Sequence, residues 1–170
     1  DIQYATAELT RVMPNPCKGY LKMLERVARF LMGGERLIVK YEHQVNYKRL
    51  RAWSDTDYRR TRKSTTGGMI TRGKHMLKSR STAQAAIALS SGEAEYYGML
   101  RAGSVALGAR SVMLDLGVVE SIKIHTEASV AKGIASRKVL GKVRHIEVNQ
   151  LWLQDRVSNE GILIVEVNNH

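Results

Sequence analysis

A chain of 170 residues has the length of one ordinary domain, and its 27 Lys plus Arg against 16 Asp plus Glu leave a net charge of +11. With 44% hydrophobic residues it can bury a core, and no apolar stretch approaches the roughly 20 residues that span a bilayer, so it reads as a soluble globular domain. A single cysteine, Cys17, can form neither an internal disulfide nor a thiolate cage, which points to the interior of a cell, and the first residues, DIQYATAEL, read as a cut inside a longer polypeptide.

Helical periodicity runs from residue 1 to about 32, with Leu21, Leu24, Val27, Ala28 and Leu31 at spacings of three and four between the MPNP turn and Gly33-Gly34. LIVKY (37–41) is short, β-branched and apolar and predicts a strand. RLRAWSDTDY (49–58) alternates Leu50, Ala52 and Ser54 against charged or large neighbours and predicts a second. The segments around Gly67-Gly68 and Gly73 predict a hairpin. From Ser90 a long helix is expected, with Ser90 or Ser91 as its cap, a Glu about three residues on, and Gly117 as its stop. A strand at SIKIHTE follows (121–127), then a short helix carrying Ala128, Ala131 and Ile134, a basic loop, a helix at IEVNQLWLQDRV and a last strand at ILIVEV. The order predicts an α/β domain with a mixed sheet.

The positive charge is clustered: Arg59, Arg60, Arg62 and Lys63; Arg72, Lys74, Lys78 and Arg80; Arg137, Lys138, Lys142 and Arg144. Such an excess attracts phosphate backbones, although any one run could equally be a solvated face. Aromatic residues are only 6% of the chain, which disfavours a base-stacking platform and favours backbone contact. Ser64-Thr65-Thr66 could add hydrogen bonds to phosphates beside Arg60 and Lys63, or simply enter the hairpin. Trp53 and Trp152 read as core residues, and His43, His75 and His170 show no zinc spacing.

Among these cations, the carboxylates at strand ends and helix starts are Asp55, Asp57, Glu93, Glu95 and Glu127. Brought together they would repel unless a hard cation such as Mg²⁺ or Mn²⁺ lay between them, and a pair of such ions about 4 Å apart can drive phosphodiester hydrolysis. Asp57 could instead pair with Arg59 or Arg62. Glu95 could serve as a capping acid.

The runs WSDTDY, RRTRKSTTGG, ALSSGEAEYYGM and KVRHIEVNQLWLQDRV, in this order, resemble the ribonuclease H domain of copia-type retrotransposon polyproteins over about residues 46 to 167. Residues 1–45 resemble the end of the reverse transcriptase and its connection in the same polyproteins. The resemblance implies a ribonuclease H-like mixed five-stranded sheet flanked by helices, preceded by a helical connection segment. It also implies cleavage of the RNA strand of RNA–DNA hybrids with two Mg²⁺ or Mn²⁺ ions, and a place in a larger polyprotein with reverse transcriptase. The metal ligands fall on Asp55, Glu95 (with Glu93 as the fallback) and Glu127, where the family has Asp at the third position. That Glu moves its oxygens outward by roughly 1.5 Å. The family's fourth carboxylate lies beyond the last strand and has no counterpart before the chain stops at EVNNH, so residues 46–170 are expected to be a C-terminally truncated domain. His145 would shuttle a proton or touch a phosphate, or else pack at a helix start. Arg60, Arg62, Lys63, Ser64, Thr65, Lys78, Lys142 and Arg144 would hold the nucleic acid. The alternative function is a catalytically decayed module of the same fold that still binds nucleic acid.

Overall fold

The computed structural model describes residues 2–34, 38–45, 47–127, 129–136, 152–159 and 162–167. The chain divides into two compact units, 1–43 and 44–170. In the first, helix α1 (Gln3–Val12) and helix α2 (Lys18–Gly33) are separated by the Pro14 and Pro16 turn and touch each other. The expected helical periodicity is present, yet no residue of either helix is buried, and Leu21, Leu24, Phe30 and Leu31 are exposed. Ile38 to Tyr41, expected in a strand, form no regular element. An apolar β-branched run becomes a strand only where a ladder partner takes up its backbone groups.

The second unit contains strands β1 (Arg49–Asp57), β2 (Thr65–Arg72) and β3 (His75–Ala83), then helix α3 (Ser91–Asp115). Strand β4 (Ser121–Thr126), the short helix α4 (Ser129–Ala135), helix α5 (Trp152–Asn159) and strand β5 (Leu163–Glu166) complete it. The five strands form one sheet in the order β3-β2-β1-β4-β5, antiparallel from β3 to β1 and parallel from β1 to β5. This is the mixed five-stranded α/β architecture expected from the sequence. The β2–β3 turn places Gly73 at a φ of 61°, a left-handed conformation that a side chain would strain, and the Gln44 side chain closes over it through Lys74 N–H at 2.8 Å.

Period-two alternation is clear in β1: Leu50, Ala52, Ser54 and Thr56 are buried, while Asp55 and Asp57 are exposed on the opposite face. Leu50 and Ala52 pack with Tyr96, Met99, Ala102 and Ala106 of α3, Ile122 and Ile124 of β4, Ile134 of α4 and Leu153 of α5 in one core. Helix α3 starts as expected, with Ser90 Oγ accepting from Glu93 N–H at 3.2 Å, and it stops at Asp115, with Leu116 as its cap and Gly117 following at a φ of 77°.

One buried ion pair secures the end of the sheet remote from Asp55. Arg72 Nε donates to Glu120 Oε1 at 2.5 Å and its Nη2 donates to the Tyr47 carbonyl at 2.7 Å, with the Glu120 side chain 0% exposed. Arg72→Ala leaves that carboxylate buried without its cation, so it is expected to cost about 3–5 kcal/mol in a urea melt at pH 7. A loss below about 1 kcal/mol would mean that Glu120 finds other compensation.

Candidate active site

Three elements meet at one end of the sheet. Strand β1 carries Asp55 opposite Gly67 of β2, β4 delivers Glu127 one residue past its end, and the first turns of α3 carry Glu95. Glu95 is half-buried: its Oε1 accepts the Thr56 N–H at 3.2 Å, and its Oε2 is buried with no hydrogen-bond partner among the described residues. Burial first, and then the negative charge of Asp55, push the Glu95 carboxyl up to about 7. The Thr56 N–H pulls it back and Glu127 adds to the rise. Asp55 and Glu127 are both exposed. They share a hollow of about 330 Å³ with Trp53, Gly67, Met69 and His125.

The two acids within one turn of α3 have different surroundings. Glu93 is buried and used locally: its Oε2 accepts the Leu89 N–H at 2.8 Å and its Oε1 the Tyr97 hydroxyl at 2.5 Å. Capping therefore falls to Glu93, and it is Glu95 that lies within electrostatic reach of Asp55 and Glu127. Asp57 is paired with Arg59, Oδ2 to Nε at 2.9 Å.

His125 stacks on Trp53 across the β1–β4 ladder, with centroids 4.0 Å apart and planes at 12°. Burial, with the neighbouring Lys123 and Arg51, holds its imidazole below the usual histidine range and hence neutral at pH 7. Its ring supports the sheet face beside the carboxylates.

Of the expected phosphate contacts, Arg60, Arg62 and Lys63 are exposed in the connection after β1, and Lys78 is exposed on the edge strand β3. Ser64 and Thr65, expected beside them as phosphate donors, are both buried, and Ser64 Oγ accepts the Arg59 N–H at 3.0 Å within the connection. Lys142, Arg144 and His145 lie outside the described residues.

The donor chemistry at Asp55, Glu95 and Glu127 suits a hard divalent cation, with one buried Glu95 oxygen left without a partner and the negative charges of Asp55 and Glu127 raising the proton affinity of Glu95. Among the described residues, however, no group of three or more His, Cys, Asp or Glu side chains is arranged so as to hold a metal ion.

The chain is 23% identical over 175 aligned residues, 99% of its length, to the retrovirus-related Pol polyprotein from transposon TNT 1-94 of Nicotiana tabacum. It is similar to a retrotransposon Pol polyprotein almost from end to end. The chain spans about 13% of the length of that curated relative. No family model matches it. Among solved structures, LC11-RNase H1 isolated from compost is 13% identical, covering 72% of this chain and 86% of its own, with a TM-score of 0.48. The same enzyme in complex with RNA/DNA hybrid aligns with a TM-score of 0.49, 12% identity and coverage of 71% and 86%. A foamy viral protease-reverse transcriptase in complex with double-stranded DNA aligns with a TM-score of 0.46, 12% identity and coverage of 91% and 27%. The Pol similarity includes the α1–α2 unit as well as the sheet domain.

Proposed function

We propose that residues 44–170 of this Pol-like chain act as a ribonuclease H that hydrolyses the RNA strand of RNA–DNA hybrids. The observation that carries the reading is the convergence of Asp55, Glu95 and Glu127 at one end of the sheet, close enough for the first and last to raise the carboxyl of the second. Asp55, Glu95 and Glu127 would hold the divalent ions, which when bound supply an activated water and neutralise charge on the leaving oxygen. The protein's own residues do the rest. The β1–α3 hydrogen bond from Thr56 N–H fixes one Glu95 oxygen and leaves the other to coordinate. Arg60, Arg62 and Lys63, exposed beside the strand that carries Asp55, would hold the hybrid by its backbone and so read helix form and not base order.

The direct test is incubation of the chain with a labelled hybrid in Mg²⁺ and in Mn²⁺, beside Asp55→Asn. Metal-dependent shortening of the RNA strand that disappears in the variant is expected. Intact RNA in both metals would overturn the reading. A second reading, a decayed module that binds nucleic acid without cutting it, draws on the exposed Glu127 and on the lack of a metal-holding group of three among the described residues. It predicts salt-sensitive hybrid binding without cleavage.

Either reading gives the basic connection the same duty. Alanine at Arg60, Arg62 and Lys63 together is expected to weaken hybrid binding at every sequence equally and to reduce the slope of log K against log salt by roughly one unit per lost phosphate contact. Fluorescence anisotropy between low and moderate salt would show it, and an unchanged slope would place the nucleic acid elsewhere.

A further inference from the structure

The geometry points to Gln84 as a positioning residue for Asp55 and Glu95, acting through a ring of buried hydrogen bonds; the inference rests on reading those carboxylates as metal ligands. Gln84 follows β3 and is 9% exposed, and its backbone N–H is anchored separately on the Ser64 carbonyl at 2.8 Å. Its side-chain Nε2 donates twice, to Thr66 Oγ1 at 2.9 Å and to the Ala94 carbonyl at 2.7 Å. Thr66 Oγ1 lies 3.3 Å from Thr56 Oγ1, and Thr56 Oγ1 donates to the same Ala94 carbonyl at 3.4 Å.

Proton counting fixes the direction. The Ala94 carbonyl can only accept, so the amide must present its nitrogen there. With both Nε2 protons used, Thr66 donates to Thr56 and Thr56 to Ala94. The ring closes with four donors and no donor left over. Its consequence lies one residue away on each side: Asp55 precedes Thr56, Glu95 follows Ala94, and Thr56 N–H holds Glu95 Oε1. The spacing of the two carboxylates is thus set by a ring that contains neither of them. Gly98 makes room for it, since a Cβ there would lie 2.7 Å from Thr56 Oγ1. Gly98→Ala is expected to lower the urea midpoint of the domain, because the added methyl would meet the buried Thr56 hydroxyl and, at 3.3 Å, the Thr66 methyl, neither of which has space to yield.

The test uses the metal-stripped full chain and Mn²⁺ itself as the probe. Affinity is measured by calorimetry well below the melting temperature, with melting in EDTA recorded in parallel. Gln84→Met is expected to bind Mn²⁺ about 10-fold or more weakly, the effect of losing a partner that orients a ligand. Thr66→Val should show the same loss and Thr66→Ser, which keeps the hydroxyl, should bind as the parent does. A residue that merely stabilised the fold would lower the melting temperature in EDTA without changing Mn²⁺ affinity in the folded range. Parental affinity in Gln84→Met, with Asp55→Asn deficient, overturns the positioning role alone. Equal Mn²⁺ binding by the parent and Asp55→Asn, or none by either, overturns the carboxylate reading and the positioning role together. Should Gln84→Met not fold, the contrast between Thr66→Val and Thr66→Ser decides.

Discussion

Asp55→Asn is expected to leave the fold intact and to reduce metal-dependent cleavage of an RNA–DNA hybrid by on the order of a thousandfold or more, equivalent to roughly 4 kcal/mol of barrier. The two halves of that expectation have separate causes. Asp55 is exposed at the end of β1, and its backbone, not its side chain, makes the ladder with Gly67 of β2. Replacement by the isosteric amide therefore changes stability within about 0.5 kcal/mol, as surface substitutions usually do. Removing its negative charge even relieves Glu95, whose proton affinity Asp55 raises. The chemistry, in contrast, needs anionic oxygens to bind a divalent ion and cannot draw on a neutral amide to the same extent. A melt together with a single-turnover cleavage assay separates the two. Undiminished cutting by the variant would remove Asp55 from the mechanism.

The second large effect has the opposite sign for stability and for activity. A carboxyl that rises from 4.5 in the unfolded chain to about 7 in the folded one takes up a proton on folding between those values. The folded state is then favoured at low pH and loses stability as pH rises through about 7. In the absence of divalent ions, the parent's melting temperature should fall between pH 5 and pH 8 more steeply than that of Glu95→Gln. The amide keeps an oxygen for the Thr56 N–H and carries no charge, so the variant should melt higher than the parent at pH 8. It should also fail to cut hybrid, and Mn²⁺ should raise the melting temperature of the parent but not of the variant. Parallel pH profiles for the two proteins would show that Glu95 is ionised at neutral pH and outside the influence of Asp55 and Glu127.

Most of the sheet domain could be read from local patterns because each element announces itself in consecutive residues. Alternation at Leu50, Ala52 and Ser54 gave β1, the glycine-punctuated hairpin gave β2 and β3, and Ser90 with Glu93 marked the start of α3. What local patterns could not supply was partnership. The apolar segment around Ile38 to Tyr41 has strand composition and no ladder, and α2 has a helical stripe whose leucines remain exposed. The same gap affects the candidate site. Glu93 and Glu95 lie two residues apart with similar chemistry, and only the placement of Leu89, Tyr97 and Thr56 gives one to the cap and the other to the carboxylate group. Ser64 and Thr65 beside the Arg60–Lys63 run look like phosphate donors in sequence, yet the chain turns them inward. Thr56, Thr66 and Gln84 carry no signal in one dimension, since their joint role exists only where three segments meet.

The sheet order also fixes when the carboxylates can come together. Strands β1, β2 and β3 are joined by short connections, so their ladders close early and at small entropic cost. The parallel pairing of β1 with β4 joins Arg49 to Ser121, 72 residues apart, and so carries the largest loop-closure cost of the four ladders. Asp55 is thus expected to be placed by the ladders that close early, and Glu127 by the one that closes late. Refolding followed by strand or helix signals should run ahead of recovery of divalent-ion binding, and a chain released before β4 docks would hold its substrate-facing charges without a complete set of carboxylates.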